Sequence, residues 1–223
     1  MAAQARDVGE IASKSFEFMV KLTRDVGNLI LLIVLNLIPI VNFIVLGYFV
    51  RVVRRDASEP PKLGDYGALF VEGLKLVLAA LIYMLIPLAI LIVALIAAGA
   101  GWALIGLFLR PRFHFHWALV LALLALLLLL VILFLATPVL AIYMRTGDFS
   151  KVFAFGEGWD LVSAFGLGNY VLLLVLLLGF DVIAYAVGSL LPWVGPAVVG
   201  VFAMAFTFKA VSLFVNVKYP PSA

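Results

Sequence analysis

Two ionisable side chains stand deep inside long apolar runs: Asp181 near the middle of one, and Lys209 somewhat past the middle of the next. Counted from the Pro192–Gly195 turn between them at about 1.5 Å per residue, their depths differ by roughly 5 Å, which a lysine side chain can bridge. The counting predicts an intramembrane ion pair. Such a pair serves either as a clamp between two helices or as a relay for a proton or ion, and a lysine at that depth can also snorkel toward a boundary. Asn36 and Asn42, on either side of Pro39, are the other polar groups set among apolar neighbours, where an unpartnered amide is costly. A path through the protein would use these four residues.

Other candidate chemistry is thinner. His114 and His116, in R-P-R-F-H-F-H-W, share a face only on extended backbone, and no third histidine or carboxylate stands near them to complete a zinc site. They read as interfacial residues beside Arg110 and Arg112, where the cluster could alternatively meet lipid phosphate. Acidic residues Asp65, Glu72, Asp148, Glu157 and Asp160 accompany Arg51, Arg54, Arg55, Lys62, Arg145 and Lys151 in two polar loops. No nucleophile elbow, phosphate-cradling glycine loop or H-E-x-x-H goes with them. The expectation is therefore no enzymatic activity, no cofactor and no metal. The loop residues Arg51, Asp65, Glu72, Arg145, Asp148 and Glu157 read as a structural surface on the cytoplasmic side, with a protein partner or lipid headgroups as the alternative use.

The elements that position these residues follow from composition. Of 223 residues, 66% are hydrophobic and 12% charged, against about 45–50% and about 25% in a soluble domain. A chain this short cannot hide so much apolar surface from water, so its solvent is lipid. A net charge of +3 forms no basic patch of the nucleic-acid kind, and the absence of cysteine excludes disulfides and thiolate metal sites. Four spans are clear: about 68–98, 117–143, 170–191 and 196–217. Pro87 and Pro138 predict kinks in them and not ends. Trp102, Trp117 and Trp193 fall at the outer boundary, and Tyr48, Tyr66, Tyr143, Trp159 and Tyr170 at the inner one.

Residues 1–25 balance acidic against basic side chains and lack the apolar core of a secretion signal. Val8, Ile11, Ala12, Phe16, Met19, Leu22 and Val26 recur at helical spacing, so this segment is expected to be an amphipathic helix. It either lies in the membrane interface or packs on the protein's own end. Val26 to Val50 is uncharged over 25 residues, about 37 Å as one helix, but Pro39 breaks it. It is either a re-entrant hairpin or a fifth span. The hairpin would leave only Arg110 and Arg112, of 15 Lys and Arg, opposite the rest, as the positive-inside rule favours. A span would carry Arg6, Lys14, Lys21 and Arg24 across with the amino terminus. Either way the polar loops and the carboxyl terminus are cytoplasmic.

The two loops are copies. G-D-Y-G-A-L-F-V-E-G-L-K-L-V at 64–77 returns as G-D-F-S-K-V-F-A-F-G-E-G-W-D-L-V at 147–162 with two residues added. Each follows an apolar segment ending in Tyr and Arg. In each, glycine permits a turn and aspartate can cap the next helix. A parallel repeat results, about 39–98 and about 117–191, followed by a final helix at about 196–218 and a short tail at 219–223. The whole of 26–218 is expected to be one integral membrane domain.

The run I-P-I-V-N-F-I-V-L-G-Y-F-V-R-V-V-R, followed by P-P-K-L-G-D-Y-G-A-L-F-V-E-G-L-K, resembles the prokaryotic membrane proteins grouped as domain of unknown function 4013. T-P-V-L-A-I-Y and G-D-F-S-K-V-F-A-F are similar to that family's second half, so the resemblance covers most of residues 26–190. It implies a multi-pass membrane protein of archaea or bacteria and brings no catalytic residues. The combined expectation is an all-α membrane helix bundle that acts as a scaffold or accessory subunit of the cytoplasmic membrane. Its partners would be lipids and either copies of itself or a membrane complex. The alternative is a channel or transporter for a small solute, ion or lipid, with a polar path at Asn36, Asn42, Asp181 and Lys209.

Overall fold

Asp7 and Asp25 set the first two helix starts, each carboxylate accepting from a backbone N–H in the first turn, that of Gly9 at 3.3 Å and that of Asn28 at 3.0 Å. The computed structural model describes residues 7–105, 114–192 and 194–221. Among these it is all helix: α1 Val8–Lys21, α2 Val26–Leu37, α3 Phe43–Arg55, α4 Tyr66–Ile105, α5 His114–Thr146, α6 Phe155–Phe165, α7 Leu167–Gly188 and α8 Val194–Val215. Four stretches are long and apolar enough to cross a bilayer: Tyr66–Leu85, Leu126–Thr146, Leu167–Gly188 and Val194–Val215. Helices α4 and α5 run through Pro87 and Pro138 without ending. Arg110, Arg112, Trp193 and the side chains of Trp102, His114, His116 and Trp117 lie outside the described residues.

The chain forms two units. One comprises the segments up to Val77 and from Pro138 onward, and the other is Leu78–Thr137, the distal lengths of α4 and α5. In the second unit leucines such as Leu85, Leu123 and Leu127 are exposed, as lipid-facing helices require.

In the first unit α8 is the axis, with α1, α2, α3 and α7 against it. Its carboxyl-terminal half is enclosed, Lys209 to Val215 being buried without a break. Pro39 breaks the first apolar segment as expected. Helix α2 stops at Leu37, Ile40 takes a left-handed φ of 70° in the turn, and α3 begins at Phe43. At 12 and 13 residues the arms are about 18 and 20 Å long, too short to cross 30 Å of hydrocarbon. They run as a hairpin. The Asn28 amide, at the start of α2, donates to the Pro61 carbonyl at 3.2 Å and accepts from the Leu63 N–H at 3.0 Å. That clasp holds the start of α2 against the loop that follows α3. At the tip, Asn36 Nδ2 donates to the Ala197 carbonyl at 2.9 Å, within one turn of the start of α8.

Helix α1 packs on α8 through Val8, Ile11, Ser15 and Phe18. The expected single apolar face is divided, because Val8, Ile11 and Leu22 turn in while Phe16 points outward beside the exposed Val20, and Val26 belongs to α2. The helix therefore has a packed stripe and an exposed one.

Helix crossings show the repeat in three dimensions. A Cβ on Gly47 would stand 1.8 Å from the Leu69 carbonyl oxygen, and one on Gly73 would stand 1.8 Å from that of Phe43, so α3 and α4 meet backbone to backbone. Gly158, the counterpart of Gly73, presses α6 against Pro138 and Val139, with 2.9 Å from its ideal Cβ to a Val139 methyl. Phe43 precedes the buried Tyr48 by the same five residues that separate Pro138 from the buried Tyr143. Each loop glycine thus marks where its helix crosses the one before it. The second copy's two added residues open a 3-10 turn at Phe149–Phe153 before α6, whereas α4 begins directly after Asp65.

Gly47→Ala and Gly73→Ala are expected to abolish the α3–α4 crossing, seen as loss of monodisperse protein on purification in detergent. Gly158→Ala, which meets only a methyl, should cost about 1–3 kcal/mol. Gly67→Ala in α4, with nothing within 4 Å, should be neutral or stabilise by up to about 1 kcal/mol in thermal unfolding.

Candidate functional site

Asp56 closes α3. Its φ of 47° is left-handed, and the Asp56 and Ala57 N–H groups return to the Val53 and Val52 carbonyls at 3.3 and 3.2 Å. This double closure normally has glycine at the left-handed position, since a Cβ there is strained. Aspartate stands there because its carboxylate is used. Lys209 Nζ and Ser212 Oγ each donate to Oδ1 at 2.8 Å, and Asn216 Nδ2 donates to Oδ2 at 2.6 Å. Lys209 also donates to the Ala57 carbonyl at 3.0 Å, and its ammonium lies 5.9 Å above the Phe18 ring of α1.

The cluster continues through Arg145, at the end of α5 and only 6% exposed. Its Nη2 donates to the Ser212 carbonyl at 2.9 Å, to Ser212 Oγ at 3.2 Å and to Asn216 Oδ1. The Asn216 amide is thereby used at both ends, accepting from Arg145 and donating to Asp56. Arg145 Nη1 reaches the Arg54 carbonyl at 3.3 Å, and Arg54 Nε reaches the Met144 carbonyl at 3.3 Å. Each repeat therefore supplies an arginine to the open carbonyl end of the other repeat's helix, where a cation is favoured. Arg54 also donates to Glu72 at 3.1 Å, Arg51 donates to Glu72 at 3.3 Å, and Arg51 donates to Asp65 at 3.3 Å. One network thus joins α3, α4, α5 and α8.

Burial pushes the Asp56 carboxyl up, but Lys209, Ser212 and Asn216 outweigh it and hold the group below the usual carboxylate range. Lys209 is 7% exposed at its side chain and Asp56 24%. The site is a closed clamp in which Asp56 pairs with Lys209 and Arg145 is held by the Ser212 and Arg54 carbonyls and by Asn216.

The second copy's loop is built differently. Asp148 accepts from the Ser150 N–H at 2.9 Å and caps the 3-10 turn, while Asp65 turns its carboxylate to Arg51. Glu157 accepts from Lys151 and, at 2.9 Å, from the Tyr219 hydroxyl. Lys218 bonds Asp160 at 2.9 Å beside it, so the chain after α8 is fastened to α6.

The expected pair of Asp181 with Lys209 does not form. Asp181 accepts from Thr207 Oγ1 at 3.3 Å, and Lys209 belongs to Asp56. Thr207 and Lys209 are two residues apart on α8, about 200° around the helix, so their side chains meet different neighbours. Similar depth is necessary for a pair, but the two groups must also share a side. Asn36 bonds Ala197, and Asn42 begins α3 with its Oδ1 buried and unpartnered among the described residues. These four residues do not come together. Asp56, Ser212 and Asn216 were not singled out in the sequence, although Lys209, Ser212 and Asn216 follow the three-and-four spacing of one helix face.

Two outcomes test the clamp. A depressed folded-state value for Asp56 means that its contribution is present above the ordinary carboxylate pKa and is lost as pH falls through the folded value. Acid titration of stability should therefore show a loss below about pH 4 that is smaller in Asp56→Asn, which keeps the left-handed preference. Arg145→Lys keeps the charge but loses the fork, and should cost about 1–3 kcal/mol for each acceptor left unpaired.

A family model described as "Protein of unknown function (DUF4013)" matches residues 30–193, from within α2 to the turn before α8. Searches of curated proteins and of solved structures give no match. The matched stretch includes both helix ends that carry Arg51, Arg54 and Arg145, both Gly-Asp loops and the crossing glycines, while the last helix, which supplies Lys209, lies beyond it. The chain belongs to the DUF4013 family.

Proposed function

We propose that this protein is a non-enzymatic scaffold or accessory subunit of the cytoplasmic membrane. In this reading it works in a complex, with its repeat loops and carboxyl terminus in the cytoplasm. The observation that carries the reading is the closure of the polar cluster. Asp56, Lys209, Ser212, Asn216 and Arg145 spend their hydrogen bonds on one another and on helix ends. Such an arrangement fixes helices: both Asp56 carboxylate oxygens and the Lys209 ammonium are engaged, and within the cluster Arg145 Nε is the one buried polar side-chain atom without a partner among the described residues.

The Asn28 clasp supports the re-entrant form of α2 and α3, since it ties the start of one arm to the loop after the other. With the arms on one side, Arg51, Arg54 and Arg55 join the amino-terminal basic residues in the cytoplasm, as the positive-inside rule prefers. The transport alternative would need Asn36, Asn42, Asp181 and Lys209 along one wet path. The bonds of Asn36, Asp181 and Lys209 go to separate partners, the Ala197 carbonyl, Thr207 and Asp56.

Single cysteines at Asn36, Asn42 and Thr207 in the cysteine-free chain can be challenged with a membrane-impermeant thiol reagent from either side. The scaffold reading expects no labelling at any of them while cysteines in the 57–63 loop label. Labelling at all three would replace it with a transport pathway.

A further inference from the structure

Asp181 presents a problem that the clamp does not resolve. It lies in α7, 14 residues after Leu167 and seven before Gly188, about 10 Å inside the nearer end of a spanning helix. Its side chain is nonetheless exposed, with the long bond from Thr207 as its one side-chain hydrogen bond among the described residues. A carboxylate facing lipid is costly and is rarely found without a partner. Lys209 and Arg145 are already committed to the Asp56 clamp.

Tyr185 stands one turn further along the same face and is 77% exposed, its hydroxyl without a partner among the described residues. Helical side chains lean toward the amino terminus, so this hydroxyl reaches back to the level of Asp181. A donor and an acceptor at one depth, about 40° apart on the helix surface, are self-complementary. Leu178 and Val182 beside them are exposed and apolar.

We propose that the Leu178, Asp181, Val182 and Tyr185 face of α7 docks against the same face of a second copy of this chain. A two-fold axis along the membrane normal places equal depths opposite each other, so each Tyr185 hydroxyl donates to the other copy's Asp181. The contact is isologous, two reciprocal hydrogen bonds in an apolar surround. A second copy fits better than an unrelated helix because the donor and acceptor are both supplied at the right depth by this chain. The inference deepens the scaffold reading and rests on it by naming one partner in the assembly.

Disulfide cross-linking in native membranes tests it. Leu178→Cys and Val182→Cys, each the single cysteine of its chain, should give a covalent dimer under mild oxidation. Leu172→Cys and Ile183→Cys, exposed on the other side of α7, should not. Adding Tyr185→Phe to the Val182→Cys chain should lower the dimer yield about five- to tenfold, the loss expected for two interhelical hydrogen bonds, with the unfolding midpoint unchanged. No dimer from the Asp181 face would overturn the proposal, as when a basic helix of another protein covers that face instead. Equal dimer from Leu172→Cys, or a yield indifferent to Tyr185→Phe, would do the same. None of these results touches the aqueous labelling that tests the scaffold reading itself.

Discussion

A single carboxylate at the end of α3 fixes where the surrounding helices stop and meet. Asp56 holds a backbone conformation that glycine would hold with less strain, and in exchange it takes donors from Lys209, Ser212 and Asn216, one face of α8. Because α3 is bound at this end and α2 is tied to Ala197 at the other, the hairpin lies along α8 for most of its length. The enclosed half of α8 follows from this. With α1 and α3 on it, a lysine and a serine are dry there and so need the aspartate.

The repeat explains how two similar hairpins are joined without being identical. Each has a buried tyrosine and a glycine where the next helix crosses, and each provides an arginine to the other's open helix end. They differ in length past the tyrosine. Helix α3 runs on to Arg55 and ends in Asp56, while α5 stops at Thr146 with Gly147 in the left-handed conformation against the Arg54 guanidinium. The shorter end leaves room for Arg145 to reach Ser212. The longer end brings Asp56 to Lys209. Divergence between the copies thus creates the clamp that symmetry would not.

Much of this was legible in the chain because its causes are local. Hydropathy alone marks the spans, and Pro39 marks the break because a missing N–H acts where it stands. The Gly-Asp loops declare the repeat. The Asp181–Lys209 pairing failed for a different reason: counting residues measures depth, but which side of α8 each neighbour occupies is decided by packing from α1, α3 and α7. Asp56 was hidden by its surroundings, since it stands just before S-E-P-P-K-L, which reads as an exposed turn. Only the folded chain shows that its left-handed residue faces the stripe of Lys209, Ser212 and Asn216.

The central claim, that Asp56 and Lys209 act as one unit holding the hairpin to α8, is tested most directly by a double-mutant cycle in detergent-solubilised protein. Lys209→Met alone leaves the half-buried Asp56 carboxylate with only Ser212 and Asn216 as donors and should cost about 1–3 kcal/mol. With Asp56→Asn already in place the same change should cost at least about 1 kcal/mol less. Additivity of the two changes within about 0.5 kcal/mol would mean that the residues are merely neighbours, and the clamp would not be what organises this fold.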